Sequence, residues 1–130
     1  MAKTSTKSAK NAGVKVSESG RVYVSATFNN TLVTITNDKG DAISASSSGA
    51  AGFKGTRRST PYAATSAVEA AAKKAVEKGL KTVEVYIKGP GAGRDASLRA
   101  IKSAGLSISM IADITPIPHN GPRAKKKRRV

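Results

Sequence analysis

Side chains able to do covalent or metal chemistry are few in this 130-residue chain and badly spaced for it. The acids Glu18, Asp38, Asp41, Glu69, Glu77, Glu84, Asp95 and Asp113 are scattered, whereas metal-assisted phosphoryl chemistry needs carboxylates that converge. Cysteine is absent, which removes thiol nucleophiles, disulfides and Cys-based zinc sites and suits a reducing compartment. His119 is the only histidine and sits in a proline-rich segment without a nearby carboxylate. It reads as a stacking or hydrogen-bonding contact rather than a general base. The expectation is a non-enzyme with no catalytic residue, no metal site and no cofactor.

The abundant chemistry is cationic. Formal net charge is +15, and ten of those charges lie at the ends: four lysines in residues 1–15 and six cations in residues 116–130. Arg123, Lys125, Lys126, Lys127, Arg128 and Arg129 have no acid among them. Such a run has almost nothing apolar to bury and repels itself, so it orders only against dense negative charge. A nucleic-acid backbone is the commonest such array; a solubilising tail or a nuclear address would have a similar composition. Ahead of the cations, Pro116 and Pro118 fix φ and stiffen an extended lead-in, and His119-Asn120-Gly121-Pro122 makes a turn.

Two glycine-rich segments add to the charge. Residues 47–58 combine glycines with Phe53, Lys54, Arg57 and Arg58. Arginine forks match phosphate geometry, and Phe53 could stack on an unpaired base. The plainer reading is a connector whose phenylalanine staples it to the core. Gly89-Pro-Gly-Ala-Gly-Arg94 lies between a strand and a helix start, where free amides attract anions. Its spacing is neither the dinucleotide fingerprint nor a Gly-Lys-Ser/Thr phosphate loop. A backbone phosphate near Gly91, Gly93, Arg94 and Arg99 is the functional reading, and a simple helix-starting turn the plain one. Asn120-Gly121 is also prone to succinimide formation, because glycine leaves the following amide free to attack; isoaspartate at Asn120 is the expected product.

These groups must be positioned by a body spanning residues 16–115, between a basic disordered arm (1–15) and an extended basic tail (116–130). Strict alternation over Arg21–Phe28 predicts a strand with Val22, Val24, Ala26 and Phe28 on one face. Asn29-Asn30 forms a turn through the tolerance of asparagine for positive φ, and strands follow over Thr31–Thr36 and Ala42–Ser46. Thr60-Pro61 opens a helix with Ala64, Ala67, Val68, Ala71, Ala75 and Val76 on its inner stripe, and Gly79 stops it. A strand over Thr82–Lys88, a helix over Asp95–Ala104 and a strand over Leu106–Ile114 complete the order βββ-α-β-α-β. That order predicts an α/β domain with a mixed five-stranded sheet, helices packed on it, and parallel pairing through crossovers. No apolar run approaches membrane-spanning length and no secretory signal is seen, so no membrane role is expected.

With those residues in view, the chain resembles the bacterial small-subunit ribosomal protein eleven family. The match runs through Phe28-Asn-Asn-Thr-Leu-Val-Thr-Ile-Thr36, Gly52-Phe-Lys-Gly55, Thr60-Pro-Tyr-Ala-Ala64, Lys88-Gly-Pro-Gly-Ala-Gly-Arg94 and Asp113-Ile-Thr-Pro-Ile-Pro-His-Asn-Gly121. It departs at Pro122-Arg123-Ala124, where many relatives carry cysteine followed by Arg-Pro-Pro. The resemblance implies a ribonuclease-H-like sheet without nuclease carboxylates, on the platform of the small ribosomal subunit in the cytoplasm. It implies bridging of small-subunit ribosomal RNA helices and a place beside the Shine–Dalgarno cleft. Small-subunit ribosomal proteins seven and eighteen and initiation factor three would be neighbours, with no homo-oligomer. RNA contacts would carry over to Asn29, Asn30, Lys54, Arg57, Arg58, Arg94, His119, Asn120, Arg123 and the basic end. A ribonuclease-H-like nuclease and a DNA-binding architectural protein are the competing readings; the first lacks its carboxylates, and the second differs only in its preferred polyanion.

Overall fold

The computed structural model describes residues 17–129, so the basic arm expected over residues 1–15 lies outside the described residues, as does Val130. Strands β1 (Ser19–Ala26), β2 (Thr31–Asn37) and β3 (Ala42–Ser47) form an antiparallel meander. A short 3-10 helix (Gly55–Ser59) leads into α1 (Pro61–Glu77), followed by β4 (Thr82–Lys88), α2 (Gly93–Ser103) and β5 (Ser107–Asp113). The five strands lie in the order β3-β2-β1-β4-β5, with β4 parallel to both β1 and β5. The expected α/β class and mixed five-stranded sheet are therefore present. The first crossover does not pair its two strands: α1 carries the chain from edge strand β3 past β2 and β1, so that β4 lands beside β1.

Both helices pack on one sheet face and against each other. Val22, Val24, Val33, Ile35, Val83, Val85 and Ile87 form the floor beneath them. Burying each of these aliphatic side chains contributes roughly 1.5–3 kcal/mol. The α1 stripe is almost all alanine (Ala63, Ala64, Ala67, Ala71, Ala72 and Ala75, with Val68), which lets the helix axis approach the sheet and α2 closely. Val76 is not on that stripe; it is exposed, one position past the inner face. The opposite sheet face is only half-covered and carries a stacked Tyr23–Tyr86 pair with centroids 5.3 Å apart. There Tyr86 donates a 2.8 Å hydrogen bond to Glu84, which raises the phenol above its ordinary pKa.

Both helices end in the same way. Gly79 and Gly105, each with φ near +100°, let the following amides of Leu80 and Leu106 reach back to the carbonyls of Ala75 and Ile101. Other boundaries differ from the sequence pattern. Helix α2 begins at Gly93 rather than Asp95, which draws Arg94 into its first turn. Strand β1 stops at Ala26, so Phe28 leaves the inner row and is 74% exposed at the hairpin tip. Neither Asn29 nor Asn30 has positive φ. The turn is instead organised by Thr27, whose hydroxyl accepts from the amides of Asn29 (3.4 Å) and Asn30 (3.1 Å). The Thr27 amide donates to the Asn30 carbonyl at 2.8 Å and closes a four-residue loop.

Candidate nucleic-acid interface

The loop before α1 is held largely by its backbone and turns Lys54 and Arg57 outward. Ser48 N–H donates to the Thr31 carbonyl, and Phe53 N–H to that of Ser48, so the loop is rooted on β2. Gly52 and Gly55 have positive φ (+100° and +59°), with open space where a Cβ would stand. The 3-10 turn ends at the helix cap: Thr60 Oγ1 accepts from Ala63 N–H and donates to the Arg57 carbonyl. Lys54 and Arg57 are exposed on this frame and flank a shallow hollow with Gly52 and Phe53. Arg58 is half-committed, its Nε donating to the Gly55 carbonyl at 3.3 Å. The core staple considered for Phe53 is not used. Its ring is half-buried edge-to-face against Tyr62, 5.6 Å between centroids, and Tyr62 is itself 71% exposed.

The Gly89–Arg94 segment is built on a different principle. A Cβ on Gly89 would collide with the Ala26 carbonyl, and one on Gly91 with the backbone of Ala26 and Thr27. A Cβ on Gly93 would meet Thr31 Oγ1 and lie 2.8 Å from Ala64 Cβ, so this glycine sets the closeness of α2 to α1. Gly91 and Gly93 are buried, and the Gly91 amide is already spent on Ala26 O at 2.8 Å. Glycine here allows the chain to touch itself. The first turn of α2 has no side-chain cap and carries Asp95.

Arg94 is partnered within the chain. Its Nη1 donates to the Gly89 carbonyl at 2.7 Å and its Nη2 to Asp113 Oδ2 at 2.8 Å. Asp113 Oδ1 accepts from the hydroxyl (2.6 Å) and amide (3.0 Å) of Thr115, and Thr115 Oγ1 in turn accepts from Gly89 N–H at 3.0 Å. The Asp113 carboxyl is held well below the usual carboxylate range, first by the Thr115 hydroxyl, then by Arg94 and the Thr115 amide. Arg99 lies apart from this cluster. It lines a groove with Lys102, Leu98, Leu106, Ile108 and Ile111 between α2 and edge strand β5.

Beyond Thr115 the tail is extended and exposed throughout its described length. Asn120 adopts φ +61°, the only positive φ outside glycine among the described residues, so the chain bends at His119-Asn120-Gly121. His119, Arg123, Lys125, Lys126, Lys127, Arg128 and Arg129 are exposed, and among the described residues none of them forms an ion pair. Asn29 and Asn30 cap the β1–β2 hairpin beside exposed Phe28.

Four residues at these surfaces escaped the sequence pattern. Phe28 and Tyr62 are exposed rings beside the candidate polar contacts; the outward position of Tyr62 follows from its place just after Pro61, off the alanine stripe. Asp113 and Thr115 stood out only as members of the Asp113–Gly121 family motif, with nothing in their spacing to mark them as a pair. Among the described residues no three His, Asp or Glu side chains come together as a metal site, and no helix is long and apolar enough to cross a membrane. What these surfaces present is fixed cations, exposed rings and a basic extension. A family model described as Ribosomal protein S11 matches residues 20–129 of the chain.

Proposed function

The chain belongs to the ribosomal protein S11 family, and on that premise we propose that its tail and exposed loop bridge small-subunit ribosomal RNA helices on the platform. It is a structural protein of the small ribosomal subunit and serves translation. In this reading the body is a rigid mount. Lys54, Arg57 and Arg58 meet phosphates from one loop, while Asn29, Asn30, His119 and Asn120 supply hydrogen bonds. Arg123 and Lys125–Arg129 thread between RNA strands and neutralise their repulsion. Phe53 and Arg99 are further contacts. The Gly89–Arg94 segment offers its surface as one shaped unit, with Gly91, Gly93 and Arg94 holding that shape. Contact with small-subunit ribosomal proteins seven and eighteen, closeness to the Shine–Dalgarno cleft and to initiation factor three, residence on cytoplasmic ribosomes, and isoaspartate formation at Asn120 belong to the same reading.

The observation that carries it is the tail: exposed, extended and, among the described residues, without ion pairs over its cationic part, yet fixed to the body at its root. Binding of the full chain to folded small-subunit ribosomal RNA should weaken steeply with salt, because each neutralised phosphate releases counterions. Competition at equal salt should favour that RNA over duplex DNA. Salt-independent binding, or preference for the duplex, overturns the proposal.

A further inference from the structure

Four hydrogen bonds form a closed circuit where the tail leaves the body. Asp113, the last residue of β5, accepts from Thr115 through Oδ1 and from Arg94 through Oδ2. Arg94, in the first turn of α2, donates onward to the Gly89 carbonyl. The Gly89 amide donates to the Thr115 hydroxyl, which closes the circuit on Asp113. One more bond, Ile114 N–H to Ile87 O at 2.8 Å, extends the sheet up to the same point. Two stretches of the chain, 87–94 and 113–115, are thus tied together within three residues of the tail's first proline.

The placement has a directional consequence. Pro116 and Pro118 follow immediately, and their fixed φ makes the stretch from Thr115 to the bend at Asn120 a stiff extended rod. Whatever angle is set at Thr115 is carried to Asn120 with little loss, and the cations begin just beyond. An acid here is electrostatically adverse for an anionic ligand, so its presence needs a compensating role. Resting on the RNA-binding reading above, we propose that Asp113 is a positioning residue for RNA binding: through Arg94 and Thr115 it fixes the exit direction of the C-terminal tail relative to the Gly89–Arg94 loop. Both then meet RNA as one preformed surface, which lowers the ordering cost of binding.

The test is a double-mutant cycle in the full-length chain, read as affinity for small-subunit ribosomal RNA. One background is the unaltered tail; the other has Lys125, Lys126, Lys127, Arg128 and Arg129 all changed to alanine. Asp113→Asn should weaken binding about tenfold with the unaltered tail, the scale of one lost charge-assisted hydrogen bond. In the neutralised-tail background its effect should nearly vanish. Thr115→Val, which keeps the Asp113–Arg94 pair, should reproduce the pattern and add little to Asp113→Asn. Stronger binding by Asp113→Asn would mean that the carboxylate acts only as a repelling charge. Equal loss in both backgrounds would reduce it to a general fold contact. Either result overturns the proposal, and Thr115→Val keeps the test open should Asp113→Asn fail to fold. Absence of RNA binding by the unaltered chain would instead strike the underlying reading.

Discussion

The loop at residues 48–60 and the segment at 89–94 look alike as strings: each is glycine-rich, carries arginine and precedes a helix. In three dimensions they are opposites. Gly52 and Gly55 use positive φ in open space, and Lys54 and Arg57 beside them are exposed. Gly89, Gly91 and Gly93 bring backbone against the end of β1, Thr31 and α1, and their arginine is engaged by the chain's own carbonyl and carboxylate. Glycine serves conformation alone in the first segment; in the second it serves contact, and at Gly89, with φ +98°, conformation as well. The first can therefore be an adaptable contact surface, while the second is a joint.

The widest separation is expected from alanine substitution at the glycines. Gly91→Ala should destabilise the fold by about 3 kcal/mol, because its Cβ meets backbone that cannot rotate aside. Gly52→Ala meets no neighbour and should cost only about 1 kcal/mol, the strain of an L residue at positive φ. Urea denaturation of both variants checks this; equal losses would dissolve the contrast. A second effect concerns RNA alone. Replacing Lys54 and Arg57 together by alanine should leave stability within about 0.5 kcal/mol. It should lower the slope of log affinity against log salt by roughly 1.5. A marked fall in melting temperature would show the loop to be a joint as well.

Two smaller effects sharpen the comparison. At the root of the open loop the Ser48 hydroxyl is buried with no hydrogen-bond partner among the described residues. Ser48→Ala should raise stability by up to about 1 kcal/mol, since it removes a desolvated polar group. A loss measured by thermal denaturation would point to a water satisfying that hydroxyl. The joint should answer to acid. Asp113 has a folded pKa below its unfolded value, so its contribution is complete above that ordinary value and disappears as pH falls through the folded one. Between pH 5 and 8 the unaltered chain and Asp113→Asn should therefore differ by a constant small amount, converging only on strong acidification. An equilibrium melt series over pH resolves this, and convergence already near pH 6 would contradict it.

Much of the fold was legible because the residues that specify it act locally. The alternation in β1 and β4, the Thr60-Pro61 helix start, the alanine stripe and the stop at Gly79 all have local causes, and all stand in the structure. Phe28 misled because alternation continues one step past the strand, where the Thr27 hydroxyl turns the chain instead. Val76 misled for a similar reason, lying at the margin of a helical stripe. The candidate interface was legible as charge: the exposed positions of Lys54, Arg57 and the tail follow from composition. It was illegible as pairing, since nothing near Arg94 in the sequence indicates Asp113, nineteen residues on.

By itself, the sequence determined the element types, the amount and sign of the charge at the chain's end, the stiffness of the proline lead-in, and the family motifs. Each is a property of neighbouring residues and survives any arrangement of the whole. Tertiary structure decided which glycines are crowded, which arginine is occupied, and in which direction the tail departs. Those outcomes depend on β4 lying beside β1 and on α2 entering over Thr31 and Ala64. Contacts between segments far apart in the chain exist only once the sheet has closed.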